Sequence, residues 1–307
     1  MARRIIDGGY HTTLWARRPK TLAPFADTTA HIAESPAQLA ADSDLVCLCV
    51  VGDADVGGLA YGQDGLLAGL KPGGVIAVHS TVHPNTCREL AKKAGAQGVS
   101  VINAPVSGGG PAAAEGRLLV MAGGDADVVG RCRPVFDTYA DSVVHLGGLG
   151  SGQVTKLVNN LLFTANLGTA ATALSLAGSL GVCPDSLVEV VAHSSGNSFA
   201  LNAIARSGGL DKLAGLAGAL LQKDARLVVD LAERVTTRPS AVLDAADAAL
   251  SLLGYPRSGG SPECGSGLSV SQRLLSWGVA VSVDRDQSWA YTVLVCIKLS
   301  MPSRPHS

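Results

Sequence analysis

The stretch Gly150-Ser-Gly-Gln-Val-Thr-Lys156-Leu-Val-Asn-Asn160 divides the chain into two parts of different character. Glycines cluster just before it, and an apolar, alanine-rich run follows it to about Gly181. That combination predicts a flexible joint that leads into a long buried helix. Lys156 and Asn160 are four residues apart, so on a helix they share a face. Burying either group without a partner is costly. Either both residues are functional, or the lysine reaches solvent and the asparagine lies at a turn.

Upstream of Gly150, short apolar runs alternate with helical stretches, which predicts an α/β domain with a doubly wound, largely parallel, Rossmann-type sheet over residues 1–150. Downstream, strand signals stop, which predicts an all-α domain over residues 151–253. An atypical tail, rich at first in Gly, Ser and Pro, covers residues 254–307. The predicted strands are His11–Trp15, Asp44–Val51, Val75–Val78, Val99–Ile102, Leu118–Ala122 and Ser142–Leu146.

The composition excludes several classes of protein. The chain has 307 residues, 47% of them apolar, and a formal net charge of −1 without a basic stripe, so we expect no nucleic-acid partner. Seven scattered cysteines without a C-x-x-C pair predict reduced thiols in a cytoplasmic protein. No apolar run is a convincing membrane span, so we expect no membrane partner. His79 and His83 lack metal-ligand spacing, and we interpret them as surface residues with no metal.

Polar or glycine-rich segments follow four of the predicted strands, so we expect one edge of one sheet to carry cationic, hydroxyl and backbone N–H groups. Ligands gather at the carboxyl ends of strands in such sheets. A dinucleotide is the expected ligand. Its usual cradle, G-x-G-x-x-G between the first strand and the first helix, does not occur in the sequence, so we expect the Rossmann-type domain to be N-terminally truncated. The four segments are Ala16–Arg18, Val51–Asp53, Ser80–Thr81 and Ser107–Gly109.

Three segments carry a resemblance to the β-hydroxyacid dehydrogenase family, the relatives of 3-hydroxyisobutyrate dehydrogenase. One of them, Met1-Ala-Arg-Arg, resembles the residues just after the family's glycine loop and indicates nothing alone. Asn103-Ala-Pro-Val-Ser-Gly-Gly109, continued to Met121-Ala-Gly-Gly124, is similar to the family's substrate-binding segment. Gly150-x-Gly152-x-x-x-Lys156-Leu-x-Asn159-Asn160 resembles its catalytic helix. The resemblance extends from Met1 to about Leu253, and Asn103 stands where the family usually has aspartate.

The resemblance implies an NAD(P)-dependent oxidoreductase of a small β-hydroxyacid or its semialdehyde. Lys156 would be the general acid in carbonyl reduction and the base in alcohol oxidation. Asn160 would hydrogen-bond the substrate, and Ser107 with the N–H groups of Gly108 and Gly109 would bind the substrate carboxylate. Consecutive N–H groups on small residues can form such an anion site, although a plain β-turn is the alternative interpretation.

The same resemblance implies the cofactor contacts. Arginine after the second Rossmann strand favours the 2′-phosphate of NADP over NAD, although a solvated arginine pair is the alternative. We therefore expect NADP or NAD, with NADP favoured, and a homo-oligomer, because relatives assemble through the helical domain. The implied cofactor-binding residues are Arg17, Arg18, Val50, Val51, Asp55, Thr81 and Lys223.

Other interpretations stay open. An imine-reductase-like relative is one, although such enzymes usually replace the catalytic lysine. A non-catalytic remnant unable to bind a dinucleotide is another, because the glycine loop is missing. The family's first strand is missing too, and its two neighbours would be separated by a gap with unpaired backbone groups. We also expect that the gene starts upstream and that its frame shifts near Leu253. The apolar strand predicted at Val293–Leu299 would then be an exposed aggregation risk.

Overall fold

The computed structural model describes residues 1–257 and 293–298. The chain forms two compact units, Met1–Lys156 with Ala290–Ser307, and Leu157–Trp289. This division falls inside one helix, and the predicted domain boundaries at residues 150 and 253 stay predictions.

A six-stranded sheet with a Rossmann-like strand order forms the centre of the first unit, in the order β2-β1-β9-β3-β4-β5. Residues 45–48 and 75–78 are all buried, because apolar groups cover both faces of this sheet, as the continuous apolar runs predicted. The strands are β1 (Thr12–Ala16), β2 (His31–Ile32), β3 (Leu45–Cys49), β4 (Val75–Val78), β5 (Ser100–Asn103) and β9 (Val293–Ile297). The helices are α1 (Ala2–Asp7), a 3-10 helix (Pro19–Phe25), α2 (Pro36–Ala41), α3 (Asp53–Ala60), α4 (Leu66–Gly69) and α5 (Pro84–Gly95).

Strand β9 lies between β1 and β3 and pairs antiparallel with both. Val293 is opposite Ala16 and Cys49, and Ile297 is opposite Thr12 and Leu45. The expected gap in the sheet is therefore filled by a strand from the tail. The expectation that this strand is exposed is wrong, because residues 295–297 are buried. Most of the tail lies outside the described residues, and the frame shift near Leu253 stays a prediction.

A second sheet of three strands follows, in the order β6-β7-β8. Only a bridge between Asn103 and Gly123 connects the two sheets by backbone pairing among the described residues. The prediction that all four polar strand ends share one edge of one sheet is therefore wrong for Ser107–Gly109, which follows Pro105 into the second sheet. The elements are β6 (Val106–Ser107), α6 (Gly109–Glu115), β7 (Leu118–Ala122), α7 (Ala126–Phe136) and β8 (Ala140–His145).

The second unit is helical over its described residues, as predicted. Its helices enclose one apolar core, and Gly168 of α8 permits a close approach, because a Cβ there would lie 2.9 Å from Ala249 Cβ on α12. By length and composition alone, α8 is long and apolar enough to cross a membrane, and 39% of its most apolar window is buried. The helices are α8 (Ser151–Ser179), α9 (Pro184–Ala192), α10 (Phe199–Ser207), α11 (Leu210–Arg234) and α12 (Ser240–Leu252).

Candidate active site

The first turn of α8 is seated directly on the second sheet. Gly150 adopts a φ of +103°, a left-handed conformation that favours glycine, and its N–H donates to Asn103 Oδ1 over 2.5 Å. At Gly152 a Cβ would overlap the carbonyl oxygen of Met121 and the side-chain nitrogen of Asn103. The two glycines of the Gly150-x-Gly152 motif are therefore explained by the approach of the helix to β7. Asn103, the residue at which the chain departs from the family pattern, is wholly buried at this contact.

Lys156 and Asn160 both lie on α8, four residues apart, as predicted. Within the helical unit, Asn160 Nδ2 donates to Asp224 Oδ2 over 2.6 Å, and Lys223 Nζ lies 2.7 Å from Asp224 Oδ1. Two of the predicted site residues, Asn160 and Lys223, thus meet at one carboxylate.

Sequence reasoning missed Asp224, which is buried. Its signal was nevertheless present: Leu221, Asp224, Ala225 and Val228 recur at helical spacing along the buried face of α11. A carboxylate on an apolar face needs a partner, and here Lys223 supplies the charge and Asn160 the hydrogen bond.

The predicted carboxylate-binding segment has the backbone that its glycines imply. Gly108 and Gly109 have φ values of +126° and +71°, which L-residues with side chains rarely adopt. A Cβ on Gly108 would lie 2.7 Å from Ala112 Cβ. Ser107 is half-buried at the end of β6. The segment is therefore a tight, glycine-dependent turn between β6 and α6.

The predicted cofactor residues of the first unit lie after β1, β3 and β4. Arg17 forms an ion pair with Asp55, with Arg17 Nη2 2.9 Å from Asp55 Oδ1, so two predicted contacts come together. Val50 N–H donates to Ser80 Oγ over 2.6 Å. Val51 is exposed, and Arg18, also exposed, adds a second cation after β1. Thr81 is half-buried next to Ser80.

The prediction that His79 is a surface residue is wrong. Its Nδ1 donates to the carbonyl of Ala104 over 2.6 Å, and its Nε2 lies 3.2 Å from the Tyr139 hydroxyl. Burial lowers the pKa of His79 to about 4, because the charged ring would lose its hydration. His83 is half-buried, and its Nδ1 accepts from Asn85 N–H at the start of α5. No group of His, Cys, Asp and Glu that could hold a metal occurs among the described residues.

The residues predicted to contact the two nucleosides of a nicotinamide dinucleotide lie on the first unit, after β1, β3 and β4. In that prediction Arg17, Arg18 and the backbone of Val50 and Val51 would hold the adenosine side, and Thr81 would meet the nicotinamide ribose. The described residues include no glycine-rich cradle for the pyrophosphate. The position between β1 and β3 is taken by β9, which begins at Val293. Among the described residues, the predicted contacts are therefore to the nucleosides of the cofactor and not to its pyrophosphate.

Comparison with known proteins agrees with this fold. A protein-family model described as the NAD binding domain of 6-phosphogluconate dehydrogenase matches residues 1–147. The model described as NAD-binding of NADP-dependent 3-hydroxyisobutyrate dehydrogenase matches residues 150–252. Together these define the class as nicotinamide-dependent oxidoreductases. The chain belongs to the β-hydroxyacid dehydrogenase family.

Individual relatives support the assignment. The chain is 34% identical to 3-hydroxyisobutyrate dehydrogenase of Pseudomonas aeruginosa over 66% of its own length and 68% of that protein. It is 36% identical to an uncharacterised oxidoreductase of Mycobacterium tuberculosis over 63% of its own length, and it spans 65% of that relative. The crystal structure of 3-hydroxyisobutyrate dehydrogenase from Salmonella typhimurium matches with a TM-score of 0.72 and 27% identity, covering 83% of this chain and 91% of that one.

Proposed function

We propose that the chain is an NAD(P)-dependent dehydrogenase or reductase of a small β-hydroxyacid or its semialdehyde. The observation that carries this proposal is the seating of the helix that bears Lys156. Gly150 and Gly152 fit that helix against Asn103 and Met121, so the two glycines of the family's catalytic motif have a structural reason here.

Lys156 is the proposed proton donor to the carbonyl oxygen in reduction and the proton acceptor from the alcohol in oxidation. When bound, the nicotinamide would supply or accept the hydride at the carbon that bears this oxygen. Ser107 and the N–H groups of Gly108 and Gly109 would bind the carboxylate. Asn160 would hold the substrate against Lys156, with its side chain oriented by Asp224.

NADP is the proposed preference because two arginines follow β1. The 2′-phosphate carries charge that a guanidinium binds well, whereas NAD offers only a hydroxyl at that position. Asp55 weakens this preference, because it neutralises part of the charge of Arg17 at 2.9 Å. Lys223, held by Asp224, is the proposed cofactor contact from the helical unit.

A cytoplasmic homo-oligomer is the proposed assembly. Val154, Val158 and Leu162 recur every four residues on α8, and all three are exposed. A row of exposed apolar side chains on one helix face is typical of a surface that another chain covers. A second copy of this chain would cover it in a homo-oligomer.

A second candidate function is a non-catalytic relative that does not bind a dinucleotide. The position of β9 favours it, because this antiparallel strand lies between β1 and β3. An imine-reductase-like activity is a further alternative, and Lys156 counts against it.

Titration of the purified chain with NADPH and with NADH separates these candidates. A screen with hydroxyisobutyrate, tartronate semialdehyde, glyoxylate and succinic semialdehyde then identifies the substrate. We expect Lys156→Ala to abolish turnover and the exposed Lys92→Ala to leave it unchanged. Absence of binding at millimolar concentrations would favour the non-catalytic candidate, and full activity of Lys156→Ala would refute the proposed role of the lysine.

A further inference from the structure

We propose that Gln153 is a positioning residue that sets the location of Thr81 relative to Lys156. This inference rests on the proposed function, which gives those two residues their roles. Gln153 lies in the first turn of α8 and is wholly buried. A buried amide needs partners for both its donor and its acceptor, and these partners identify what Gln153 does.

The Gln153 side chain binds the backbone on both sides of Thr81. Its Nε2 donates to the carbonyl of Ser80 over 2.8 Å, and its Oε1 accepts from the N–H of Val82 over 3.1 Å. Residues 80–82 follow β4 and belong to no strand or helix. Their backbone groups therefore lack partners from a sheet ladder at these two points, and the amide of Gln153 takes the place of a neighbouring peptide group.

The same contact extends to the end of β3. Ser80 Oγ accepts from the N–H of Val50 over 2.6 Å, while the carbonyl of Ser80 accepts from Gln153. The segments after β3 and β4 and the start of α8 are thus joined through two side chains. Val50 and Thr81 are both proposed cofactor contacts, so this network lies under the cofactor side of the site.

On α8, the network that Gln153 forms is close in sequence to Lys156, the proposed proton donor. Gln153 and Lys156 are three residues apart on α8 and share a helix face. The contact of Gly152 with Met121 leaves the first turn of α8 little freedom to shift on β7. Movement of residues 80–82 against Gln153 therefore changes the position of Thr81 relative to Lys156. Because a misplacement of about 1 Å can cost about 100-fold in rate, such a contact matters for hydride transfer.

The alternative is that Gln153 only stabilises the fold, and Gln153→Glu separates the two roles. Glutamate keeps the shape and the acceptor for Val82 but puts an oxygen against the carbonyl of Ser80. Gln38→Glu is the control, because Gln38 is exposed and its Oε1 accepts from Glu34 N–H over 2.6 Å, so that contact survives the substitution.

The first measurement is amide hydrogen exchange on the full chain, which needs no turnover. In Gln153→Glu we expect exchange at residues 81–83 to rise about tenfold more than exchange at β5, whose own rise reports the global destabilisation that a buried carboxylate causes. The second is steady-state kinetics, in which kcat should fall about tenfold while KM for the carboxylate substrate changes less than about twofold. Gln38→Glu should change neither amide exchange at residues 81–83 nor kcat.

Equal acceleration of exchange at residues 81–83 and at β5 would show a role in global stability only and would overturn the inference. Unchanged exchange at residues 81–83 would overturn it as well, as would an unchanged kcat in a folded Gln153→Glu protein. If the wild-type chain shows no turnover, the proposed function fails, and the exchange experiment still decides whether Gln153 holds the Thr81 segment.

Discussion

Asn160 on α8 donates a hydrogen bond of 2.6 Å to Asp224 on α11, inside the helical unit. The other oxygen of this buried carboxylate lies 2.7 Å from Lys223 Nζ. Asparagine at position 224 would keep the shape and lose the charge. We expect Asp224→Asn to lower the free energy of unfolding by about 1.5–3 kcal/mol, the range typical of charged hydrogen bonds. Urea unfolding followed by circular dichroism measures the change.

Asp230→Asn is the control for this variant. Asp230 forms an ion pair with Arg234 in which both side chains are about half exposed to solvent. Exposed pairs contribute about 0–1 kcal/mol, so the control should lose little stability. Equal losses in the two variants would contradict the special role of Asp224.

Asp55 should modulate cofactor preference through Arg17, which it contacts at 2.9 Å. We expect Asp55→Asn to strengthen NADPH binding about threefold to tenfold and to leave NADH binding nearly unchanged, because the variant restores charge to Arg17 near the 2′-phosphate. Arg17→Ala should weaken NADPH binding by about tenfold. Fluorescence titration with both nucleotides measures the ratio, and an equal effect on NADH would contradict this assignment.

Much of the fold follows from local sequence patterns. The buried strands β3 and β4 are continuous apolar runs, and Pro84 begins α5 where a proline is favoured, in the first helical turn. These features depend on residues close together in sequence, which periodicity and turn chemistry report well.

The remaining features depend on contacts between distant residues. The apolar pattern of β9 predicted a strand, but nothing local says that it pairs antiparallel between β1 and β3. The polarity of His79 predicted a surface residue, whereas Ala104 and Tyr139 give it partners in the core. The partner of Asp224 is 64 residues away on α8. The roles of the predicted site residues likewise stay predictions.

Strand β9 should be essential to the stability of the first unit. Val295 is buried, opposite Leu14 of β1 and Cys47 of β3. We expect Val295→Asp to cost about 3 kcal/mol or more, because a carboxylate would enter an apolar core without a partner. Lys298→Ala, at an exposed position next to the strand, is the control and should change little. Comparable unfolding midpoints for the two proteins would show that β9 is not held in the sheet.

Two glycines of α8 should respond in opposite directions to the same substitution. At Gly152 a new Cβ overlaps the Met121 carbonyl, whereas at Gly178 nothing lies within 4 Å of it. We expect Gly152→Ala to destabilise the protein by about 1–3 kcal/mol through overpacking. Gly178→Ala should stabilise it by about 0.5–1 kcal/mol, because alanine loses less backbone entropy in a helix. Thermal unfolding of both variants tests the pair, and unchanged or raised stability of Gly152→Ala would contradict the seating of the first turn.

His79 should give the protein an acid-sensitive stability. Its pKa falls from 6.5 to about 4 on burial, so between these values the unfolded chain binds a proton that the folded chain does not. Stability is therefore full above about pH 6.5 and is lost as the pH falls, by about 1.4 kcal/mol per pH unit, to a total of about 3 kcal/mol near pH 4.

We expect His79→Gln to remove this part of the pH dependence, because an amide can bond to Ala104 and Tyr139 without titrating. His11→Gln is the control, since His11 is exposed. Urea unfolding at several pH values between 4 and 7 measures how steeply the free energy of unfolding of each variant depends on pH. Other groups contribute equally to both variants, so the difference between them isolates His79. A slope for His79→Gln as steep as that of the control would show that the buried ring does not titrate on unfolding in this range.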